Sequence, residues 1–290
     1  MATQKNIDKF INDALAIEAR DAYEAGRLGY YARILAQATM PHKATKDIAH
    51  VRKNGGITLS MTGDPAVGLP YGSVPRLLLA WLSTEVVKKK DREIPLGNSL
   101  TDFMRKVGII QANEIPTGGK TGNLGRVKTQ ADRLFNATVN FSYDSKDLSA
   151  RKGFRLSSET VTFWGAKNPD QKSLWQSRVV LSQEFFDEVT DSPIPVDLDT
   201  LRALRRSPLS LDLYIWLTYR MSYLKKPTEI PWGALQLQFG SDYKRTRAFK
   251  GKVVKELKKV EVLYPELRLE DSEKGLILRP SPTHIKRLVK

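Results

Sequence analysis

The stretch SDYKRTRAFKGKVVKELKKV, residues 241–260, carries eight lysines and arginines against two acids, Asp242 and Glu256. Phe249, Val253, Leu257 and Val260 recur at intervals of four, four and three, which places them on one stripe of a helix. Lys244, Arg245, Arg247, Lys252, Lys255, Lys258 and Lys259 fall on the opposite face, and only Lys250 borders the stripe. Solvated helices usually mix both signs at i,i+4 spacing, and here Glu256 alone offers a partner. A narrow apolar seam with cations around it suits a helix that docks on a core and faces an acidic partner.

The flanking sequence gives this helix a setting. Glu229-Ile230-Pro231 reads as a short extended piece, and WGALQLQF (232–239) as a short helix ended by Gly240. After the basic helix come strand-like runs at 267–270 and 276–279, with 271–275 as the tip. Short helix, turn, basic helix and hairpin is the layout of a winged helix. The first half runs a similar programme. A long apolar helix, VPRLLLAWLSTEVVKKK (74–90), leads to Ile94-Pro95-Leu96 and to a short helix, LTDFMRKV, stopped by Gly108. LGRVKTQADRLFN (124–136) reads as the next helix. The runs ATVNFSYD (137–144) and SETVTFWG (158–165) read as its hairpin, joined by a loop with Lys146, Arg151 and Lys152.

Trp81-Leu82-Ser83 matches Trp216-Leu217-Thr218 at an offset of 135, and Glu93-Ile94-Pro95 matches Glu229-Ile230-Pro231 at 136. An offset near half the chain length argues for two copies of one unit. The expected fold is therefore α+β: two tandem winged-helix domains related by internal duplication, behind an N-terminal helical extension. The expected division is residues 1–50 for an N-terminal helix (5–38) and basic arm, 51–170 for the first domain and 171–290 for the second. The polar tract 40–56 reads as linker or arm, and roughly 165–176 as the junction, with linker composition over 166–172.

The 290 residues include 47 Lys and Arg, 32 Asp and Glu, three His and no Cys, for a formal net charge of +15. Residues 201–290 hold 20 bases and nine acids, so +11 of that excess lies in the last third. Without cysteine there is no disulfide framework, thiolate zinc site or thiol nucleophile. The start of the chain carries acids within its apolar pattern, unlike a signal peptide. No apolar run approaches the roughly 20 residues that span a bilayer. The expectation is a cytoplasmic protein with no membrane contact and a nucleic-acid partner.

On a duplex, Lys244, Arg245 and Arg247 would lead into the major groove, where Arg pairs bidentately with guanine edges. Lys250, Lys252, Lys255, Lys258 and Lys259 lie further along and suit phosphates. Lys274 at the second hairpin tip, and Arg126, Lys128 and Arg133 in the first copy, are further backbone candidates. So are Lys286, Arg287 and Lys290 in the tail. No catalytic, metal or cofactor site emerges. His42, His50 and His284 form no ligand motif and read as surface residues. Gly118-Gly119-Lys120-Thr121 lacks the leading glycine of a phosphate loop, because Glu114 stands there.

Three blocks, GLPYGSVPRLLLAWL (68–82), LGNSLTDFM (96–104) and GNLGRVKTQADRLF (122–135), resemble the RepA family of bacterial plasmid replication initiators, of the IncW-plasmid kind. The resemblance implies two winged helices, the first serving dimerisation and phosphate contact and the second reading repeated sites (iterons) in the plasmid origin. It implies double-stranded origin DNA, the host replicative helicase and other host replication proteins as partners, a possible homodimer, and no enzymatic activity. A dimeric winged-helix transcriptional repressor is the alternative. A rolling-circle nicking enzyme is disfavoured, since it needs paired histidines on a metal.

Overall fold

The computed structural model describes residues 25–37, 39–118, 122–144, 149–162, 177–240 and 243–285. Most of the expected N-terminal helix, the 165–176 junction, Lys146, the 119–121 loop and the tail from 286 lie outside them.

Two helices are buried on nearly every side. Helix α2 (Ser73–Lys89) buries each residue from Val74 to Thr84. Helix α7 (Pro208–Met221) buries each from Leu209 to Thr218. Their sequences are apolar all round, as a helix inside a core requires. Each is followed by a strand and a short helix: β4 (Glu93–Gly97) and α3 (Leu100–Val107) after α2, β10 (Thr228–Pro231) and α8 (Trp232–Phe239) after α7. Ser99 caps α3 by accepting from the Asp102 N–H, and Gly108 ends it at φ 78°. A longer helix comes next: α4 (Asn123–Phe135) in the first half, α9 (Thr246–Leu263) in the second.

The closing sheets share one strand order. In the first half, β4 pairs β8 (Ser177–Leu181), which pairs β7 (Ser157–Val161). In the second, β10 pairs β12 (Gly275–Leu278), which pairs β11 (Leu269–Asp271). The packing recurs too. Trp81 meets Phe103 edge-to-face at 5.4 Å, and Trp216 meets Phe239 edge-to-face at 5.2 Å. In both halves the long helix is thereby fixed to the short one.

The first half also carries a four-stranded antiparallel sheet, ordered β2 (Ala49–Asn54), β3 (Ile57–Thr62), β5 (Thr138–Asp144), β6 (Ser149–Arg155). It corrects two expectations. The tract 40–56 is no free arm: it enters a hairpin that turns at Gly55, whose φ of 61° favours glycine. The run 137–144 does not pair with 158–161; it lies between β3 and β6. Strand β6, SARKGFR, buries only Phe154, so it shows no apolar alternation and reads as loop. A third correction concerns residues 28–31. They form strand β1 (Leu28–Tyr31), paired with β9 (Ile194–Asp197), and the helix α1 (Arg33–Gln37) follows. Gly29 lies there because an added Cβ would stand 2.3 Å from Leu198.

Strand β8 and helix α5 (Gln183–Asp191), both beyond the expected boundary at 170, pack on the first half, on β4 and α2 respectively. Helix α6 (Leu198–Leu204) then leads to α7. One apolar cluster runs through both halves, from Leu59 and Phe135 to Phe249 and Leu278. No described helix is long and apolar enough to cross a membrane.

Candidate nucleic-acid interface

Helix α9 forms where its sequence places it. Phe249, Val253, Leu257 and Val260 are buried as one face, against α7 and α8. The turn from α8 is pinned by Gln236, whose side chain donates to the Tyr243 carbonyl at 2.7 Å and accepts from the Thr246 hydroxyl at 2.6 Å. Tyr243 packs on Phe249 at 5.6 Å. These contacts fix the start of α9 and leave Lys244, Arg245 and Arg247 exposed, with no ion-pair partner among the described residues.

The remaining cations divide into two groups. Lys255 and Lys258 are exposed on the outer face, with Glu261 close enough to Lys258 to feel its charge. Lys252 and Lys259 also reach solvent, but both hold Glu256, each at 2.6 Å. Glu256 itself is buried and accepts from Ser210 of α7 at 2.5 Å. Burial pushes its carboxyl up, but the donors Lys252, Lys259, Ser210 and Ser207 outweigh that and bring it down to about 2. Glu256 is thus an internal anchor between α9 and α7. Its two lysines retain outward charge, with part of it already spent.

Lys250 does not belong to the open face. It donates to the Ser272 carbonyl at 2.6 Å, sits 5.2 Å over the Trp232 ring and lies 3.9 Å from Asp271. It ties α9 to the hairpin of β11 and β12. The Trp232 indole donates to the same carbonyl at 3.1 Å. At the hairpin tip, Ser272 accepts from the N–H groups of Lys274 and Gly275, so Lys274 projects from an ordered turn, beside exposed Glu273.

The first-half candidates separate further. Arg126 is exposed on α4. Lys128 is half-buried and engaged by a neighbouring group. Arg133 is half-buried, stacks 5.3 Å over Tyr71 and donates to the Leu69 carbonyl at 3.3 Å. It holds the 68–72 loop onto α4 and is a packing residue.

The histidines are not surface residues. His42 lies 2.8 Å from Asp212 of α7. His50 meets the Thr39 carbonyl at 3.0 Å, and burial and Arg52 bring it down to about 4. His284 bonds the Tyr214 hydroxyl at 2.9 Å and stacks on Tyr264. Burial lowers the affinity of His42 and His284 for a proton as well. Among the described residues no three His, Asp or Glu side chains gather as metal ligands.

Asp212 forms the main polar link between the halves. Arg76 of α2, 1% exposed, grips both its oxygens at 2.6 and 2.7 Å and donates to the carbonyls of Met40, Pro41 and Gly72. Two exposed or half-exposed arginines that the charge pattern did not single out, Arg205 and Arg206, stand just before the Ser207 cap of α7. A basic pair ahead of a Ser-Pro helix start was the available signal.

The model for plasmid-encoded RepA proteins matches residues 69–232. The chain belongs to this family. RepA membership makes it a plasmid replication initiator, in accord with the resemblance carried by residues 68–135. The fold is similar to crystal structures of domains 2 and 3 of RctB. One gives a TM-score of 0.52 at 15% identity, over 89% of this chain and 98% of that one. Another gives 0.50 at 14%, over 84% and 94%. No curated protein matches the chain.

Proposed function

We propose that this RepA protein acts by binding, without catalysis, at repeated sites in a plasmid origin, and that α9 is its reading head in the major groove. The observation that carries this is the pinned start of α9: Arg247 in its first turn, and Lys244 and Arg245 just ahead of it, are exposed, while Phe249, Val253, Leu257 and Val260 pack the opposite face. The two halves are two copies of a winged helix. Their shared strand order and their matching Trp–Phe pairs support that reading. In the second copy α8 and α9 form the helix–turn–helix and β11–β12 the wing; in the first, β5 and β6 are an insertion between recognition helix and wing. Lys255, Lys258 and Lys274 meet phosphates, Lys252 and Lys259 add to the field, and Lys250 serves the wing from within. Arg126 is the first-half candidate that remains open to DNA. Origin opening, recruitment of host helicase and other replication proteins, and assembly of a homodimer complete the reading.

The test compares affinities for origin DNA and random duplex. Arg245→Ala and Arg247→Ala are expected to weaken the specific complex more than the random one, by about 1–3 kcal/mol each. Equal losses on both DNAs overturn the base-reading role. Footprinting of the origin separates the readings of the site: tandem protected repeats fit an initiator, and a single palindrome fits a repressor dimer.

A further inference from the structure

A cleft of about 380 Å³ lies between α2, β4, α3 and α6. Its floor is apolar: Leu77, Trp81, Val107 and Leu201 line it, and none is more than 9% exposed. Its rim is cationic, with Lys88, Lys89, Lys106 and Arg202. Glu85 is the one acid in the lining, and Lys89 already holds it at 2.7 Å. Arg202 pairs with Asp199 of its own helix at 2.8 Å. Its stem lies across the end of α3, where a Cβ on Gly108 would stand 2.8 Å from the Arg202 Cγ. Lys88 and Lys106 are exposed and have no ion-pair partner among the described residues. An apolar floor ringed by uncommitted cations suits an occupant that brings an apolar stripe and acids together.

The chain carries such a segment next to the cleft. Gly26 is part of the lining, so the described fold begins at this site. Residues 1–24 precede it, outside the described residues. Their sequence holds five acids and three bases, a net of −2 in a chain of net +15. Ile7, Phe10, Ile11, Ala14 and Leu15 share one helical stripe; Asp8 borders it, and Glu18 continues its line four residues after Ala14. Ten residues lead from Leu15 to Ala25. They span about 15 Å as helix and more when extended, enough to return the stripe to the cleft. We propose that residues 7–18 occupy this cleft in their own chain, with the apolar stripe on the floor and Asp8 and Glu18 against the rim lysines. The segment thereby closes the apolar floor and pairs Lys88 and Lys106. This occupancy is independent of α9 and of DNA.

The chain has no cysteine, so disulfide trapping in the full-length protein has no native background. Asp8→Cys or Glu18→Cys is combined with Lys88→Cys or Lys106→Cys at the rim. The controls combine the same two with Lys274→Cys at the exposed tip of the β11–β12 hairpin. Dilute protein is oxidised, and non-reducing electrophoresis with peptide mapping reads which cysteines have joined and whether within one molecule. At least one rim pair is expected to close within single molecules at a yield severalfold above both controls. Phe10→Asp, added to that pair, places a charge in the apolar stripe and is expected to bring the yield down to the control level. The rim lysines are exposed, so before oxidation the variants are expected to melt as wild type does. Rim yields no higher than the controls overturn the proposal. Disulfides that join two molecules overturn it too, because they assign the segment to the cleft of a second copy. An undiminished yield with Phe10→Asp also overturns it, because the stripe then makes no contact with the floor.

Discussion

Replacing Asp212 by alanine is expected to cost about 3–5 kcal/mol of stability, the range for breaking one side of a buried ion pair. The structure gives the reason. The Arg76 side chain is fully shielded, and among the described residues Asp212 supplies its only counter-ion at hydrogen-bonding distance. Burial pushes the Asp212 carboxyl up, and the Arg76 charge with the His42 bond more than reverses it, so Asp212 is anionic throughout the neutral range. Without it, a guanidinium stays buried with only the carbonyls of Met40, Pro41 and Gly72 around it. The pair Arg76→Met with Asp212→Leu removes both charges. It leaves those carbonyls short of a donor at about 1 kcal/mol each, so it is expected to fall about 1–3 kcal/mol below wild type, less than the single change. Urea unfolding followed by tryptophan fluorescence measures this. With a slope of about 3 kcal/mol per molar, the single variant loses about 1–1.7 M in midpoint. The cycle made of Arg76→Met, Asp212→Leu and their double variant should show a coupling above about 2 kcal/mol. An Asp212→Ala midpoint within 0.3 M of wild type, at about the same slope, would refute the reasoning, and so would additive effects of the two substitutions.

Other outcomes follow from single side chains. Glu256 is held at about 2 against an ordinary 4.5, so its contribution is fully present above pH 4.5 and is lost as pH falls towards 2, roughly 3 kcal/mol in all. Glu256→Gln should flatten that part of the midpoint-versus-pH curve; an identical acid limb would remove Glu256 from the anchor role. Lys250→Met should lower the melting temperature yet leave DNA affinity within about twofold, whereas Lys255→Ala should do the reverse; matching behaviour of the two would show that the tie to the hairpin is misassigned. Gly55→Ala meets no atom within 4 Å, so its cost is the positive φ alone, about 1 kcal/mol or 2–4 °C in melting temperature. A larger fall would point to a contact beyond the turn.

What the sequence conveyed followed local periodicity. The face of α9 was legible because Phe249, Val253, Leu257 and Val260 repeat with the helical turn and the cations avoid that stripe. The matched Trp81 and Trp216 made the two halves comparable because a large buried aromatic is a rare marker. Strand β6 was illegible because a strand exposed on most positions has no apolar alternation, and β8 because its partners, β4 and β7, lie at distant points of the chain. Residues 28–31 extended an apparent helical stripe, and only the long-range pairing with β9 decides against it. Of the site, the exposed cations could be listed from composition. Which are committed could not: Lys250 is tied by a carbonyl in the β11–β12 hairpin, and Arg133 by a loop 64 residues earlier. Arg76 and Asp212 are 136 residues apart and follow no pattern.

The position of that last pair bears on how the molecule holds DNA. A tandem array with a free linker would let each half sample its own orientation, and the second contact would be weakened by the volume the linker allows. Here the halves share one apolar cluster, and Arg76 clamps α2 to α7 while binding the segment that leads into the β2–β3 hairpin. Gln238 of α8 donates to Gln37 and accepts, through its carbonyl, from Thr39, so α8 is also fastened to the segment that precedes the hairpin. On the proposed reading, the offset between Arg126 and the start of α9 is therefore set before DNA arrives, and the two halves need no further ordering at the moment of binding. That rigidity has a consequence for repeated sites: spacing can be adjusted between protein molecules but not within one. A change in the distance between two repeats should alter cooperativity between bound copies, whereas an insertion inside a single repeat should cost each copy one of its two sets of contacts.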